Sequence, residues 1–365
     1  MKTYPLESIS LEQAMEKQFK MIDCITNQFT GSESLSRGDL GIHQPENQPI
    51  TTMKAEKAVA EFFSCEAAIF VRGSGTGAIR YALASVLKPG EKILVHNAPI
   101  YSTTITSFEM FGLVCVKADF NRIEEIQKAL KEDPEIRAAL VQHSRQLIED
   151  SYDLGEVIRA IKEVKDIPIV IDDNYAVMKV DRIGCELGAD LSCFSTFKLQ
   201  GPEGIGAVVG KKEYINKIKA MHYSGGCQCQ GHEAMDVLRG LVYAPVLLAV
   251  QAKTGEEVVD RLKGGEVEGV KDVFLANAQS KVVLVELERP IAKEVLKHAE
   301  KLGALPNPVG AESKYEMAPM FYRVSGTFRA KDPTLDERMI RINPNRAGAD
   351  TVIRILKESI AKANQ

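Results

Sequence analysis

Between about residue 52 and residue 210, short continuous apolar runs alternate with stretches of helical periodicity, and few folds accommodate that pattern. Helical spacing over 52–64 precedes an apolar run at Ala67–Val71, and a helix from about Thr76 to Leu87 leads to Lys92–His96. A helix near Thr103–Phe111 precedes Leu113–Lys117, one over 122–132 precedes Ala138–Gln142, and one over 154–165 precedes Pro168–Ile171. Strands at 191–195 and 204–209 close the series. Apolar runs without polar alternation are buried on both faces. The pattern therefore predicts an α/β domain, a mostly parallel sheet between two layers of helices. Ligands of such sheets bind at the carboxyl ends of the strands.

After residue 211 the pattern changes. Helical runs over 212–221 and roughly 232–262 lead to a strand at Lys281–Glu288 and a helix at Ile291–Gly303. Strands near Phe321–Ser325 and Met339–Asn343 and a helix at Ala349–Ala363 follow, which predicts a small α+β domain. The stretch Gly264–Gly269 reads as a hinge or loop. The expected organisation is an N-terminal segment over 1–50, a large domain over 51–248 and a small C-terminal domain over 249–365. The N-terminal segment is polar and turn-rich apart from an amphipathic stretch from Leu11 to Phe29.

Composition narrows the partners. With 365 residues, 45% hydrophobic, 26% charged and a net charge of −4, the chain reads as a globular protein with no basic cluster for nucleic acid or anionic membrane. No apolar run approaches the ~20 residues of a spanning helix, and the first ten residues lack the apolar core of a signal peptide. Seven scattered cysteines read as reduced thiols of a cytoplasmic protein. Cys227, Cys229 and His232 have the wrong spacing and no fourth ligand for zinc, so no metal is expected.

The chemically suggestive residues fall just after the predicted strands. Phe70-Val-Arg-Gly-Ser-Gly-Thr-Gly-Ala78 is a strand, a glycine-rich turn and a helix start. Backbone N–H groups of Ser74, Gly75 and Thr76 would there face a phosphate at a helix N-terminus. The same letters partly mimic a dinucleotide fingerprint, but no acid ends the next strand at Leu94-Val-His96-Asn97, where that motif needs one. A plain tight turn is the third possibility. Tyr101 follows the second strand and offers a face for a flat ring, or is simply a half-buried loop residue. Ile167-Pro-Ile-Val-Ile-Asp-Asp-Asn-Tyr175 ends a buried strand with two carboxylates, Asp172 and Asp173. That arrangement needs a nearby cation unless the acids are solvated or cap a helix.

Lys198 follows the run Leu191–Phe197 and is flanked by Phe197 and Leu199. Partial desolvation would lower its pKa and suit it to imine formation, against the alternative of an ordinary surface lysine. Ser195, three residues earlier, offers a hydroxyl for a phosphate beside that amine. In the small domain Arg341 lies on an alternating strand, where its guanidinium would hold a substrate carboxylate in a fork or make an edge-strand salt bridge. Arg323, Arg329 and Arg346 are candidates for a second anion, with salt bridging the simpler reading. His143 follows a strand and reads equally well as a residue lining the site or as a satisfied core histidine.

In this order Ser74-Gly75-Thr76, Tyr101, Asp172, Ser195 and Lys198 resemble the cofactor site of fold type I enzymes dependent on pyridoxal 5′-phosphate (PLP). Asn47-Gln-Pro-Ile-Thr51 is similar to the entry segment of the Cys/Met-metabolism branch. Over almost its whole length the chain resembles the YhfS-type family of aminotransferase-like proteins, in Asn174–Val180, Gly201-Pro-Glu-Gly204, Gly310–Glu316, Ser325–Arg329 and Ile340–Arg346. The resemblance implies an aminotransferase-like fold, with PLP held as an aldimine on Lys198 and Lys198 moving the α-proton. It gives the pyridine nitrogen to the acid three residues before an aromatic, which selects Asp172 with Tyr175 and leaves Asp173 as the alternative. It also implies Arg341 as the carboxylate ligand, an amino acid or related amine as substrate, and a homodimer with shared active sites. An aminotransferase is the leading activity and a C–S or β/γ-elimination lyase the alternative. A non-catalytic PLP-binding protein and an NAD-dependent oxidoreductase are the readings from other classes. Two departures stand out. Phe197 replaces the Ser or Thr that many relatives place before the lysine, and no basic residue follows in 201–209. The phosphate grip would then be completed by His222–Gly226 or by Arg37 of the partner subunit.

Overall fold

A computed structural model describes residues 2–276, 281–326, 329 and 332–365. The chain forms two compact units, one of residues 12–144 and 151–245, the other of residues 1–11, 145–150 and 246–365.

The first unit is built on seven strands: β1 (Ala67–Arg72), β2 (Lys92–His96), β3 (Val114–Ala118), β4 (Ile136–Gln142), β5 (Ile169–Asp172), β6 (Leu191–Ser195) and β7 (Ile205–Gly210). Their order is β1-β7-β6-β5-β4-β2-β3. The strands β3, β2, β4, β5 and β6 pair in parallel, and β7 runs antiparallel to both β1 and β6. Six strands thus point the same way, as expected of a largely parallel sheet.

Two-sided burial follows directly from the apolar runs. In β5, Val170 packs with the helix Ser74–Val86 through Ala78, Ile79, Ala82 and Leu83. Ile169 and Ile171, on the opposite face, pack with the amphipathic helices Ile123–Glu132 and Leu154–Val164. Each of Ile169, Val170 and Ile171 stabilises by roughly 1.5–3 kcal/mol on burial, so a polar substitution at any of them is felt in the helical layer it faces. Local signals set the helix ends: the Asp153 carboxylate accepts the Glu156 amide at 2.9 Å and starts the helix Leu154–Val164. The strand β5 runs one residue beyond its apolar letters, so Asp172 is its last member.

The second unit has an antiparallel sheet of four strands, β8 (Val270–Leu275), β9 (Val283–Leu287), β10 (Met320–Arg323) and β11 (Met339–Asn343), in the order β10-β11-β9-β8. Val283, Val285, Ile340 and Ile342 face the helices Ala292–Lys301 and Ala349–Ala363, while Leu284, Tyr322 and Met339 line the other face. The strand β8 is not legible in the sequence. A register shift between Val270 and Asp272 breaks its two-residue alternation, leaving Lys271-Asp272 where a strand pattern would be sought. No helix among the described residues is long and apolar enough to cross a membrane.

Candidate active site

The chain leaves β1 through Gly73 and Ser74, both in left-handed backbone conformation with φ of 96° and 56°. Their two amides donate to one carbonyl, that of Gly204, at 2.8 and 3.0 Å. The Ser74 amide is therefore committed within the protein, which corrects the expectation that it faces a ligand. Gly75 and Thr76 stand in the first helical turn, where amides have no acceptor within the helix. The hydroxyl of Ser74 lies 2.5 Å from that of Ser195, the buried last residue of β6. Thr76 Oγ1 donates to Thr103 Oγ1 at 3.0 Å. This contact joins the glycine turn to the helix Ser102–Phe111, whose N-cap is the exposed Tyr101.

The two acids at the end of β5 have different surroundings. Asp173 is fully buried; its Oδ1 is 2.7 Å from His143 Nδ1 and its Oδ2 accepts the Gly184 amide at 3.2 Å. Asp172 accepts at Oδ1 from both the amide and the side-chain Nδ2 of Asn174, at 3.0 and 2.8 Å. Its Oδ2 has a 3.5 Å contact with Gln142 Nε2. Burial pushes the Asp172 carboxyl above the ordinary carboxylate range; the Asn174 bonds oppose that rise, and the charge of Asp173 adds to it.

Lys198 sits in a single 3-10 turn, Phe197–Leu199. Thr196 builds that turn: its carbonyl accepts the amides of Leu199 and Gly201, both at 2.9 Å, and its amide and hydroxyl donate to the Ile205 carbonyl at 3.1 and 2.8 Å. The loop is pinched shut at its base, with Lys198 half-buried at its turn. The Lys198 Nζ stands 4.6 Å from the centroid of the Tyr175 ring. Tyr175, in left-handed conformation with φ of 66°, lies three residues after Asp172. The glycine turn, the β5 acid, Ser195 and Lys198 thus stand at the carboxyl edge of one sheet; Ser74 meets Ser195 directly, Asn174 bridges Asp172 and the Ser195 amide, and Lys198 meets the Tyr175 ring.

Residues 16–236 match the aminotransferase class-V family and residues 256–356 the YhfS-like C-terminal domain. The uncharacterised protein YhfS of Escherichia coli (strain K12) is 53% identical over 361 residues, 99% of each chain. The chain belongs to the YhfS-like family. The crystal structure of the pyridoxal-5′-phosphate dependent protein YhfS from Escherichia coli superposes with a TM-score of 0.98 at 53% identity, covering 99% of this chain and 100% of that one. A probable cysteine desulfurase of Halalkalibacterium halodurans is 28% identical over 183 residues, 44% of this chain and 42% of its own.

Within this YhfS-like chain, Arg341 belongs to the second unit. It is buried in the strand β11, its Nε donates to the Arg323 carbonyl at 2.7 Å, and its guanidinium lies 4.0 Å from the centroid of the Tyr322 ring. Arg323 and Arg329 answer Asp336 at 3.4 and 3.9 Å, and Arg346 contacts Gln251 Oε1 at 3.2 Å. Arg37 is exposed. His222 is buried against the edge of the Tyr81 ring, and burial holds its pKa below the usual value. Asn174 and Gln142 went unnoticed as site residues. The Asp-Asp-Asn letters held the signal, because an Asp side chain accepts the backbone amide two residues on in an Asx-type turn, and an Asn at that place adds a side-chain donor. His143, for which the sequence allows a site role and a core role equally, is buried with its Nδ1 2.7 Å from Asp173 Oδ1.

Proposed function

We propose that this YhfS-like chain is a PLP-dependent enzyme acting on an amino acid or related amine, and that it works as an aminotransferase. The observation that carries the reading is the placement of the Lys198 Nζ over the ring of Tyr175, which follows the buried Asp172 by three residues.

The donor set fits the coenzyme. A phosphate requires several donors at one place, and the Gly75 and Thr76 amides with the Ser74 and Ser195 hydroxyls supply them at a helix N-terminus. A protonated pyridine nitrogen requires a carboxylate shielded from water, and Asp172 Oδ2 is the oxygen left with only a long contact. Tyr101 offers its ring to the flat face. Bound PLP supplies an electron sink for the bond broken at the substrate's α-carbon. Lys198 would anchor the coenzyme and, once the substrate amine has displaced it, would take the α-proton on its own amine as general base. Arg341 holds the substrate carboxylate in its fork.

The partial likeness to a probable cysteine desulfurase favours a second reading, a lyase that breaks a C–S or β/γ bond. We further place the enzyme in the cytoplasm, where its seven free thiols stay reduced. We also propose a homodimer, since Leu35, Leu40 and Tyr223 of the first unit are exposed apolar side chains at 89%, 69% and 77% accessibility. Light scattering of the purified protein tests the dimer; a monomer at micromolar concentration contradicts it.

The test of activity is a screen of amino acids against the PLP-loaded protein, with products separated by class. Keto acid plus an aminated coenzyme supports the aminotransferase, while sulfide or an eliminated side chain supports the lyase. A protein whose spectrum ignores every amine, with PLP bound, contradicts both.

A further inference from the structure

Asn174 is one side chain wired to three separate elements of the site. Its Nδ2 and backbone amide donate to Asp172 Oδ1 at 2.8 and 3.0 Å. Its Oδ1 accepts the Ser195 amide at 2.9 Å, the last amide of β6. Its amide group lies directly beneath Gly75, where an added Cβ would stand only 2.4 Å from Asn174 Oδ1. The acid that ends β5, the backbone amide that ends β6 and the first helical turn after β1 therefore share one planar amide.

We propose that Asn174 is a positioning residue that sets the distance and orientation between the ring-nitrogen acid and the phosphate donors; the proposal rests on the PLP reading given above. Two physical consequences follow from its contacts. By occupying Asp172 Oδ1 twice, Asn174 leaves Oδ2 as the oxygen for the pyridine nitrogen and favours the ionised carboxylate against the burial that opposes it. By holding the Ser195 amide and bearing on Gly75, it fixes the phosphate end in register with that oxygen. Only a group with a donor and an acceptor on one short stem performs both tasks. Aspartate keeps the acceptor but donates to Asp172 only while protonated; once ionised, it repels it.

That asymmetry makes the substitution N174D diagnostic. PLP dissociation constants are measured at pH 5.5 and pH 8 for wild type, N174D and N174A, with circular dichroism confirming each fold and N174S standing in should N174A not fold. The expected result is at least a tenfold weaker affinity for N174A at both pH values. For N174D the deficit relative to wild type is expected to be small at pH 5.5 and tenfold or more at pH 8. A residue that merely supports the fold lowers the melting temperature without this pH-dependent ratio. N174A and N174D binding like wild type at both pH values overturns the proposal while leaving the PLP reading intact. Wild type failing to bind PLP at all overturns the reading and the proposal together.

Discussion

The hydroxyls of Ser74 and Ser195 lie 2.5 Å apart, one at the start of the helix that follows β1 and the other at the end of β6. The residues are 121 positions apart in the chain, and two short oxygens at this distance share a single proton donor–acceptor contact.

Each hydroxyl is expected to serve the phosphate together with its neighbour. S74A and S195A should each weaken PLP binding five- to tenfold, about 1 kcal/mol, and the double variant should lose less than the sum, because the two side chains are in contact. Equilibrium titration of the apoprotein with PLP measures this. Full additivity would mean the hydroxyls act separately.

The paired acids separate structure from chemistry. D173A strips the buried His143 Nδ1 and the Gly184 amide of their partner and should cost roughly 2–4 kcal/mol in urea unfolding. D172N should abolish turnover while sparing the fold. The Asp172 pKa is raised in the folded state, so its contribution to stability is present at low pH and lost as pH rises. The amide variant should therefore be at least as stable as wild type at pH 8. A large stability loss in D172N, with D173A fully active and stable, would reverse the assignment of the two acids.

Glu56 predicts a pH dependence away from the chemistry. It is buried, accepts the Phe70 amide at 2.9 Å and the Gln48 Nε2 at 3.0 Å, and burial pushes its pKa to about 7. A raised carboxyl stabilises the protonated fold, so stability present below pH 4.5 is lost as pH climbs through 7. E56Q should match wild type near pH 5 and exceed it by roughly 3 kcal/mol at pH 8, with the Gln48 amide turned to accept. Thermal melts across that range check the sign; parallel curves for the two proteins would contradict it.

Arg341 is expected to govern substrate affinity more than rate. R341A should raise the KM for amino acids roughly 100-fold, the loss of a charged hydrogen-bonded pair worth about 1.5–3 kcal/mol, with kcat changed less. R341K, which keeps the charge without the fork, should fall between. An unchanged KM in R341A would mean that the substrate's acid group is held elsewhere, or that the substrate has none.

Much of the first unit was legible because its strands are buried on both faces. Val170 and its neighbours Ile169 and Ile171 face opposite helical layers, so no polar letter interrupts the run. The second unit hid β8, where a register shift cancels the alternation that would betray a strand. At the site, the order of Ser74, Asp172, Ser195 and Lys198 was readable, since each ends a strand or closely follows one. What sequence cannot express is which amide a third segment has already taken. The Gly204 carbonyl, on the far side of Lys198, claims the Ser74 amide. The role of Asn174 escaped for a related reason: its partner Ser195 is 21 residues away, and only strand order brings them together.

The central claim is that the coenzyme is anchored on Lys198. Borohydride reduction of the PLP-loaded protein, followed by peptide mapping, tests it most directly. The account predicts one modified lysine, in the peptide carrying Ser195 and Lys198, and no modification or visible band in K198A. A label on any other lysine, or an unchanged visible band in K198A, would contradict it.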